Sequence, residues 1–298
     1  MNWLFLIIVC AFLFAVVDII DKFFCGHKIK SVYTLSVLTG SISVIITSSL
    51  LFFVNFKFSW GWPVFFACLS AVFYFFLWLF WWQALKTTEV SRSTAIYNSS
   101  PIYTALMAVI FLGETLSIIK WLAIIMIVVG TILCSYEKTN DKKVSRFNIM
   151  YLLVILAALC NSLGSIVSKI AVGSINPFVA NLIAVYAGAP LFLTLLLKKE
   201  VSQELVASVK NVKIIIPFII RGLIAFIAVI CFYLAMKSGP ASLVAAGYGT
   251  NPLFVFGISV MISRFFPKII KENITPVVLS QKALAIILIV GGVVLINF

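Results

Sequence analysis

Ten stretches of the chain are apolar for nearly their whole length, and polar connections separate them. Crossing a bilayer core of about 30 Å takes roughly 17–25 residues of helix. The stretches have that length: 3–20, 32–54, 62–85, 93–112, 117–136, 149–171, 177–197, 212–236, 241–263 and 277–296. They are numbered here as segments 1 to 10. In lipid each backbone N–H and C=O must bond within its own helix, so the pattern predicts an all-α integral membrane protein with ten transmembrane helices. Segments 4 and 9 are richer in Ser, Thr and Gly than the others. The longest polar stretches are 137–148, 198–213 and 264–276. The second carries Val201, Leu205 and Val209 at helical spacing, which predicts a short surface helix.

The two halves repeat one another. ALKTTEVSRSTAIYNSSP, at 84–101, aligns without a gap on AMKSGPASLVAAGYGTNP, at 235–252. The offset of 151 places Lys86 on Lys237, Ser91 on Ser242, Tyr97 on Tyr248 and Pro101 on Pro252. KWLAIIMIVVGTIL from Lys120 aligns with KALAIILIVGGVVL from Lys282 at an offset of 162, so the second half has 11 extra residues between segments 9 and 10. Asp21-Lys22 likewise meets Ser168-Lys169. The predicted division is therefore 1–140 for the first repeat (segments 1–5) and 141–298 for the second (segments 6–10). An odd number of spans makes the second repeat insert upside down. Two inverted five-helix repeats place a binding site near the bilayer midplane where they meet, which points to transport.

On these residues the chain resembles an EamA-type transporter of the drug/metabolite transporter superfamily. The resemblance rests on the Ala-Leu and Ala-Met ends of segments 3 and 8 and on the Ala/Ser-rich segments 4 and 9 reaching Pro101 and Pro252. Leu112-Gly113-Glu114 and the endings at Gly130 and Gly292 complete it. It covers nearly the whole chain as two EamA repeats. The second repeat departs from the pattern, with ISRFFPKIIKEN where the Leu-Gly-Glu would recur. The resemblance implies a secondary transporter working by alternating access, with segments 1, 3, 4, 6, 8 and 9 along the path and 5 and 10 as scaffold. It implies a small amphipathic cargo, amino-acid-like or related, and export as the direction. A carrier or flippase-like protein for sugar-phosphate or lipid-linked cargo is the alternative within the class. A non-transporting membrane partner protein is another reading. An intramembrane enzyme is a remote one, supported only by Asp18 and Asp21 on one helix face.

Composition narrows the partners. Of 298 residues 63% are hydrophobic and 10% charged, too few to cover a surface in water, where about 25% is usual. The formal net charge is +13, but Lys and Arg sit in short connections and form no continuous face that would track phosphates. The partners expected are the bilayer, a small-molecule substrate and a coupling proton, with no nucleic acid, in a monomer or homodimer. Five of six cysteines lie inside apolar runs, there is no Cys-x-x-Cys, and His27 is the sole histidine. No metal site or catalytic residue is predicted, and without a Walker motif ATP is not expected to drive it directly. No cofactor is expected.

Several positions carry candidate function. Pro101 and Pro252 fall inside segments 4 and 9, and a proline within a helix cannot bond the carbonyl four residues back, here Tyr97 and Tyr248. Broken helix at membrane depth is tolerated where it lines a cavity, so Tyr97, Asn98, Tyr248 and Asn251 are candidate substrate contacts. A packing kink relieved by Ser and Thr hydroxyls is the other reading. Asp18 and Arg221 are ionisable residues flanked by apolar ones. They pair with each other, grip the two ends of a zwitterion, or snorkel to the interface. Tyr74, Trp78, Trp81, Trp82 and Gln83 recur near helical spacing in segment 3, either as an aromatic cavity wall or as lipid-facing rings with an interfacial belt near Trp81 and Trp82. Glu114 reads as a cap for the start of segment 5, and Gly130, Gly291 and Gly292 as close-packing positions.

Basic residues predict orientation. Termini and even-numbered connections hold Lys57, Lys120, Lys169 and Lys237; seventeen of the 22 Lys and Arg lie at odd-numbered connections and adjoining helix ends, and Arg221 lies within a span. This bias places both termini on the extracytoplasmic side of the cytoplasmic (inner) membrane, opposite to the arrangement the resemblance implies.

Overall fold

The structure, a computed structural model, describes residues 2–27, 29, 31–52, 60–85, 90–135, 150–265 and 276–296. The described residues form thirteen α-helices: α1 Trp3–His27, α2 Val32–Ser48, α3 Trp62–Leu85, α4 Val90–Tyr97, α5 Ser100–Leu112, α6 Ile118–Ser135, α7 Met150–Ser174, α8 Pro177–Thr194, α9 Lys199–Lys210, α10 Val212–Ser238, α11 Ala241–Tyr248, α12 Asn251–Phe265 and α13 Pro276–Leu295. Eight stretches are long and apolar enough to cross a membrane, two of them running through the α4–α5 and α11–α12 junctions. Two shorter apolar helices, Tyr33–Ser48 and Ser280–Leu295, accompany them. The chain is thus a multi-pass membrane protein.

Local chemistry sets the helix ends. Asn176 caps α8 by accepting from Phe178 N–H at 2.9 Å, with Pro177 in the first position, where no N–H is needed. Ser48 and Ser49 hydroxyls donate back to the Val44 and Ile46 carbonyls, which competes with the helical ladder. There α2 tightens into a 3₁₀ turn, Ser49–Phe52, earlier than the apolar pattern predicts. Thr194 does the same at Leu191 before the 3₁₀ turn Leu195–Leu197. In the other direction α1 runs past the predicted end at Ile20. The charge of Asp21 stops an apolar pattern but not a helix, because that carboxylate is paired.

The chain forms two contact units that do not follow the two repeats. The first comprises Met1–Phe75 and Val167–Ser238, the second Phe76–Ile166 and Gly239–Phe298, so the divisions fall inside α3 and α7. In the first unit α1 packs along α10, and α2 packs on α8 and α10. Its interior includes Ile7, Cys10 and Ala15 of α1, Leu38 of α2 and Phe218 of α10. The α9 helix rests on α2 and α10, yet its inward face is Val201, Leu205 and Ser208 with Glu204. Val209, expected to share that face, is 49% exposed. The Glu204 carboxylate accounts for the rotation, because it accepts from Ser31 N–H at 3.1 Å and Thr34 Oγ1 at 2.7 Å and so caps α2.

In the second unit α6 packs along α13, α11 lies against α5, and α4, α11 and α12 all touch α6. The α6–α13 contact is reciprocal. A Cβ on Gly130 would lie 2.6 Å from Ile289 Cγ1, and one on Gly292 would lie 2.6 Å from Ile127 Cγ1. Each helix thus seats an isoleucine of its counterpart over a glycine, the close approach small residues permit in membranes.

Candidate functional site

Segments 4 and 9 are both broken, and at the same register. The first half-helix ends at Tyr97 in one and Tyr248 in the other, and the second begins at Ser100 and Asn251. Both junctions keep the 151-residue offset. The backbone stays right-handed, with φ −78° and ψ −8° at Ser99 and φ −58° and ψ −6° at Gly249. Each junction tightens to three-residue bonds, Ser99 N–H to Ile96 O at 3.1 Å and Thr250 N–H to Gly247 O at 3.2 Å. The side chains repeat the pattern: Ser99 Oγ donates to Ile96 O at 2.7 Å and Thr250 Oγ1 to Gly247 O at 2.9 Å. Pro101 and Pro252 are therefore not within a continuous helix. Each is second residue of a new helix, a first-turn position that tolerates a missing N–H.

These junctions line a cavity of about 30 Å³ in the second unit. Tyr97, Asn98, Ser100 and Pro101 meet Tyr248, Gly249, Asn251 and Pro252 there, and Thr131 of α6 and Asn161 of α7 complete the wall. That space holds one or two waters. Among the described residues no Asp, Glu, Lys or Arg lines it. Its polar groups are anchored. Asn98 Nδ2 donates to Ser135 Oγ at 2.8 Å. The Ser100 carbonyl accepts from Ser162 Oγ at 3.0 Å and Thr104 Oγ1 at 3.1 Å, and Asn161 Nδ2 approaches Ser100 Oγ at 3.4 Å. The Trp81 ring lies 4.9 Å from that of Tyr97.

The other candidates fall elsewhere. Tyr74 and Trp78 are not among the cavity-lining residues; Trp78 is 37% exposed and stacks on Trp82 at 5.9 Å. Asp18 is exposed on α1. Arg221 pairs with Asp21 rather than Asp18: Nε donates to Oδ1 at 2.9 Å and Nη2 to Oδ2 at 2.7 Å. This fork-to-fork geometry is buried in the first unit, which corrects the Asp18–Arg221 pairing. Asp21 lies on the face of α1 that carries buried Val17, whereas Asp18 lies off it. The same pair occupies the carboxylate that an Asp18–Asp21 metal site would need.

Glu114 caps a helix, but not its own. Gly113 adopts the left-handed conformation, φ 66°, and ends α5 with its N–H on Ala108 O. That turn delivers the Glu114 carboxylate to the start of α11, where it accepts from Ala241 N–H, Ser242 N–H and Ser242 Oγ. The Leu-Gly-Glu of the first repeat thus closes the outer end of the half-helix whose inner end, Tyr248, forms the cavity wall.

Thr131 and Asn161, which line the cavity, were not singled out by sequence. Asn161 had a signal, an amide inside an apolar run. Thr131 had none beyond its repeat alignment.

The family model for the EamA-like transporter family matches residues 1–136 and again 148–298. The chain therefore belongs to the EamA-like transporter family. A crystal structure of a protein 15% identical in sequence has the same fold, with a TM-score of 0.71 over 98% of this chain and 95% of that one. No curated protein matches the chain.

Proposed function

We propose that the protein is a secondary transporter of the cytoplasmic membrane that moves a small amphipathic metabolite, amino-acid-like or related, by alternating access. In this reading ten spans form two inverted repeats, and export is the direction. The observation that carries it is the pair of helix junctions, one from each repeat, opening onto the same cavity. A break in one helix is a common packing device; matched breaks that meet at a polar void mark a binding site.

The cavity recognises cargo without charged side chains. The N-termini of α5 and α12 supply positive dipole ends and the C-termini of α4 and α11 supply negative ones, next to the amides of Asn98, Asn161 and Asn251 and the hydroxyls of Tyr97 and Tyr248. This arrangement suits a zwitterion's carboxylate and ammonium. Asp18 and Arg221 are not needed for that role. The closed cavity admits only water, so the half-helices must separate to take cargo.

The test is a thermal-shift screen of the purified protein against zwitterionic metabolites, followed by flux of each hit in proteoliposomes. Asn98→Ala and Asn251→Ala are expected to lower flux about tenfold or more, the loss of one or two buried hydrogen bonds at about 1.4 kcal/mol per decade. Undiminished flux in both variants would remove the junctions from the substrate path.

A further inference from the structure

We infer that the junction cavity is a sodium site, and that sodium rather than a proton is the ion coupled to transport; the second part rests on the transporter reading above. The cavity wall presents acceptors. Asn98 turns its NH2 group to Ser135 Oγ at 2.8 Å, and Asn161 turns its own toward Ser100 Oγ at 3.4 Å. Each amide therefore keeps its carbonyl oxygen for the cavity that it lines. Thr131 Oγ1 donates to Val128 O at 2.8 Å, so lone pairs are what it has left to offer. The backbone is arranged likewise. The N–H groups of Ser99 and Ile102 bond to the Ile96 and Ser99 carbonyls, and those of Thr250 and Leu253 to the Gly247 and Thr250 carbonyls. Pro101 and Pro252 have no N–H to give.

Size and charge select the ion. A space of about 30 Å³ that admits one or two waters also admits one small dehydrated cation. It is too small for the carbon skeleton that carries a cargo ammonium. A proton needs a base to sit on, and among the described residues no Asp, Glu or His lines the wall. Divalent ions are held by carboxylates, and among the described residues no group of three or more His, Cys, Asp or Glu could hold a metal. Neutral oxygens are the set that replaces the hydration shell of an alkali ion, and the small space favours sodium over potassium. The three side-chain oxygens come from different elements: Asn98 from the α4–α5 junction, Thr131 from α6 and Asn161 from α7. An ion held by all three ties the junction to both helices, which is the closed arrangement. Its departure frees the half-helices to separate.

The test needs no cargo. Purified full-length protein is heated in detergent while sodium chloride replaces choline chloride at constant ionic strength, choline being too large for the cavity. Once sodium exceeds its dissociation constant, each tenfold rise is expected to lift the unfolding midpoint by about 3 °C. Thr131→Val and Asn161→Ala each remove one oxygen and are expected to weaken sodium binding about tenfold, moving the response to higher sodium. Thr131→Val keeps the shape of the side chain, and its midpoint in choline alone reports whether the fold is intact. A parent midpoint that is equal in sodium and in choline, or a sodium response undiminished in both variants, would overturn the site. Neither result bears on the metabolite screen, which stands or falls by itself. Proteoliposome flux of a screened metabolite that is equal in the two salts would keep the transporter reading and overturn the coupling.

Discussion

The buried Arg221–Asp21 pair makes a sharp energetic prediction. Both charges lie out of solvent, and each satisfies the other through two hydrogen bonds at 2.9 and 2.7 Å. Removing one partner leaves the other uncompensated, which costs about 3–5 kcal/mol, whereas removing both charges together costs far less. Arg221→Met and Asp21→Asn should therefore each lower the midpoint of thermal unfolding by about 6–10 °C, at roughly 2 °C per kcal/mol for a chain of this size. The double variant should recover most of that loss, giving a coupling of about 2 kcal/mol or more. Asp18→Asn, at an exposed position one turn away, should cost clearly less than Asp21→Asn, because exposed charge interactions are worth about 1 kcal/mol or less. The assay is the fraction remaining monodisperse in detergent after heating, followed by size-exclusion chromatography. Additive losses in the double variant, or an Asp18→Asn loss equal to that of Asp21→Asn, would refute the pairing. A transport defect in Arg221→Ala alone would say nothing about substrate, since the variant also leaves Asp21 buried without its partner.

The remaining expectations concern packing, capping and orientation. Gly130→Ala and Gly292→Ala place a Cβ 2.6 Å from an isoleucine and 3.0 or 2.9 Å from a backbone carbonyl; each should cost about 1–3 kcal/mol in the same heating assay, and Gly173→Ala, with open space at its Cβ, should not. Glu114→Gln should lose the charged cap on α11 and about 1 kcal/mol, measured by the same midpoint. Paired reporters fused after Phe298 should show activity outside the cytoplasm and no cytoplasmic fluorescence, as the basic connections predict; the reverse result would restore the arrangement with both termini inside.

Much of the fold was legible because a membrane span needs a long apolar run and little else. Segment 3 was predicted at 62–85, which are the bounds of α3. The junctions of segments 4 and 9 were legible through the repeat, since Tyr97 with Pro101 and Tyr248 with Pro252 share one register. Their geometry was less so. A proline predicts a missing bond, but whether the helix bends around it or restarts before it depends on Ser99 and Thr250 hydroxyls that take carbonyls locally. Asp21 was read as a helix-end charge and, with Asp18, as support for a remote enzyme reading, but not as the partner of Arg221, because that partner lies 200 residues away and nothing local marks such a contact. Glu114 was recognised as a cap, yet the helix it caps is distant in sequence, and only the left-handed turn at Gly113 explains how it gets there. The amphipathic face of α9 was misplaced for the same reason: an apolar pattern of Val201, Leu205 and Val209 gave way to the hydrogen bonds of Glu204 with α2.

Alternating access to the cavity is the central claim, and accessibility of a thiol placed in it tests that claim without knowledge of the cargo. Asn251→Cys, in a protein whose native cysteines have been replaced, is treated with a membrane-impermeant thiol reagent in right-side-out and in inverted vesicles. The account predicts labelling from both faces, at rates that respond in opposite directions when a hit from the metabolite screen is added. Labelling from one face only, or from neither, would contradict it.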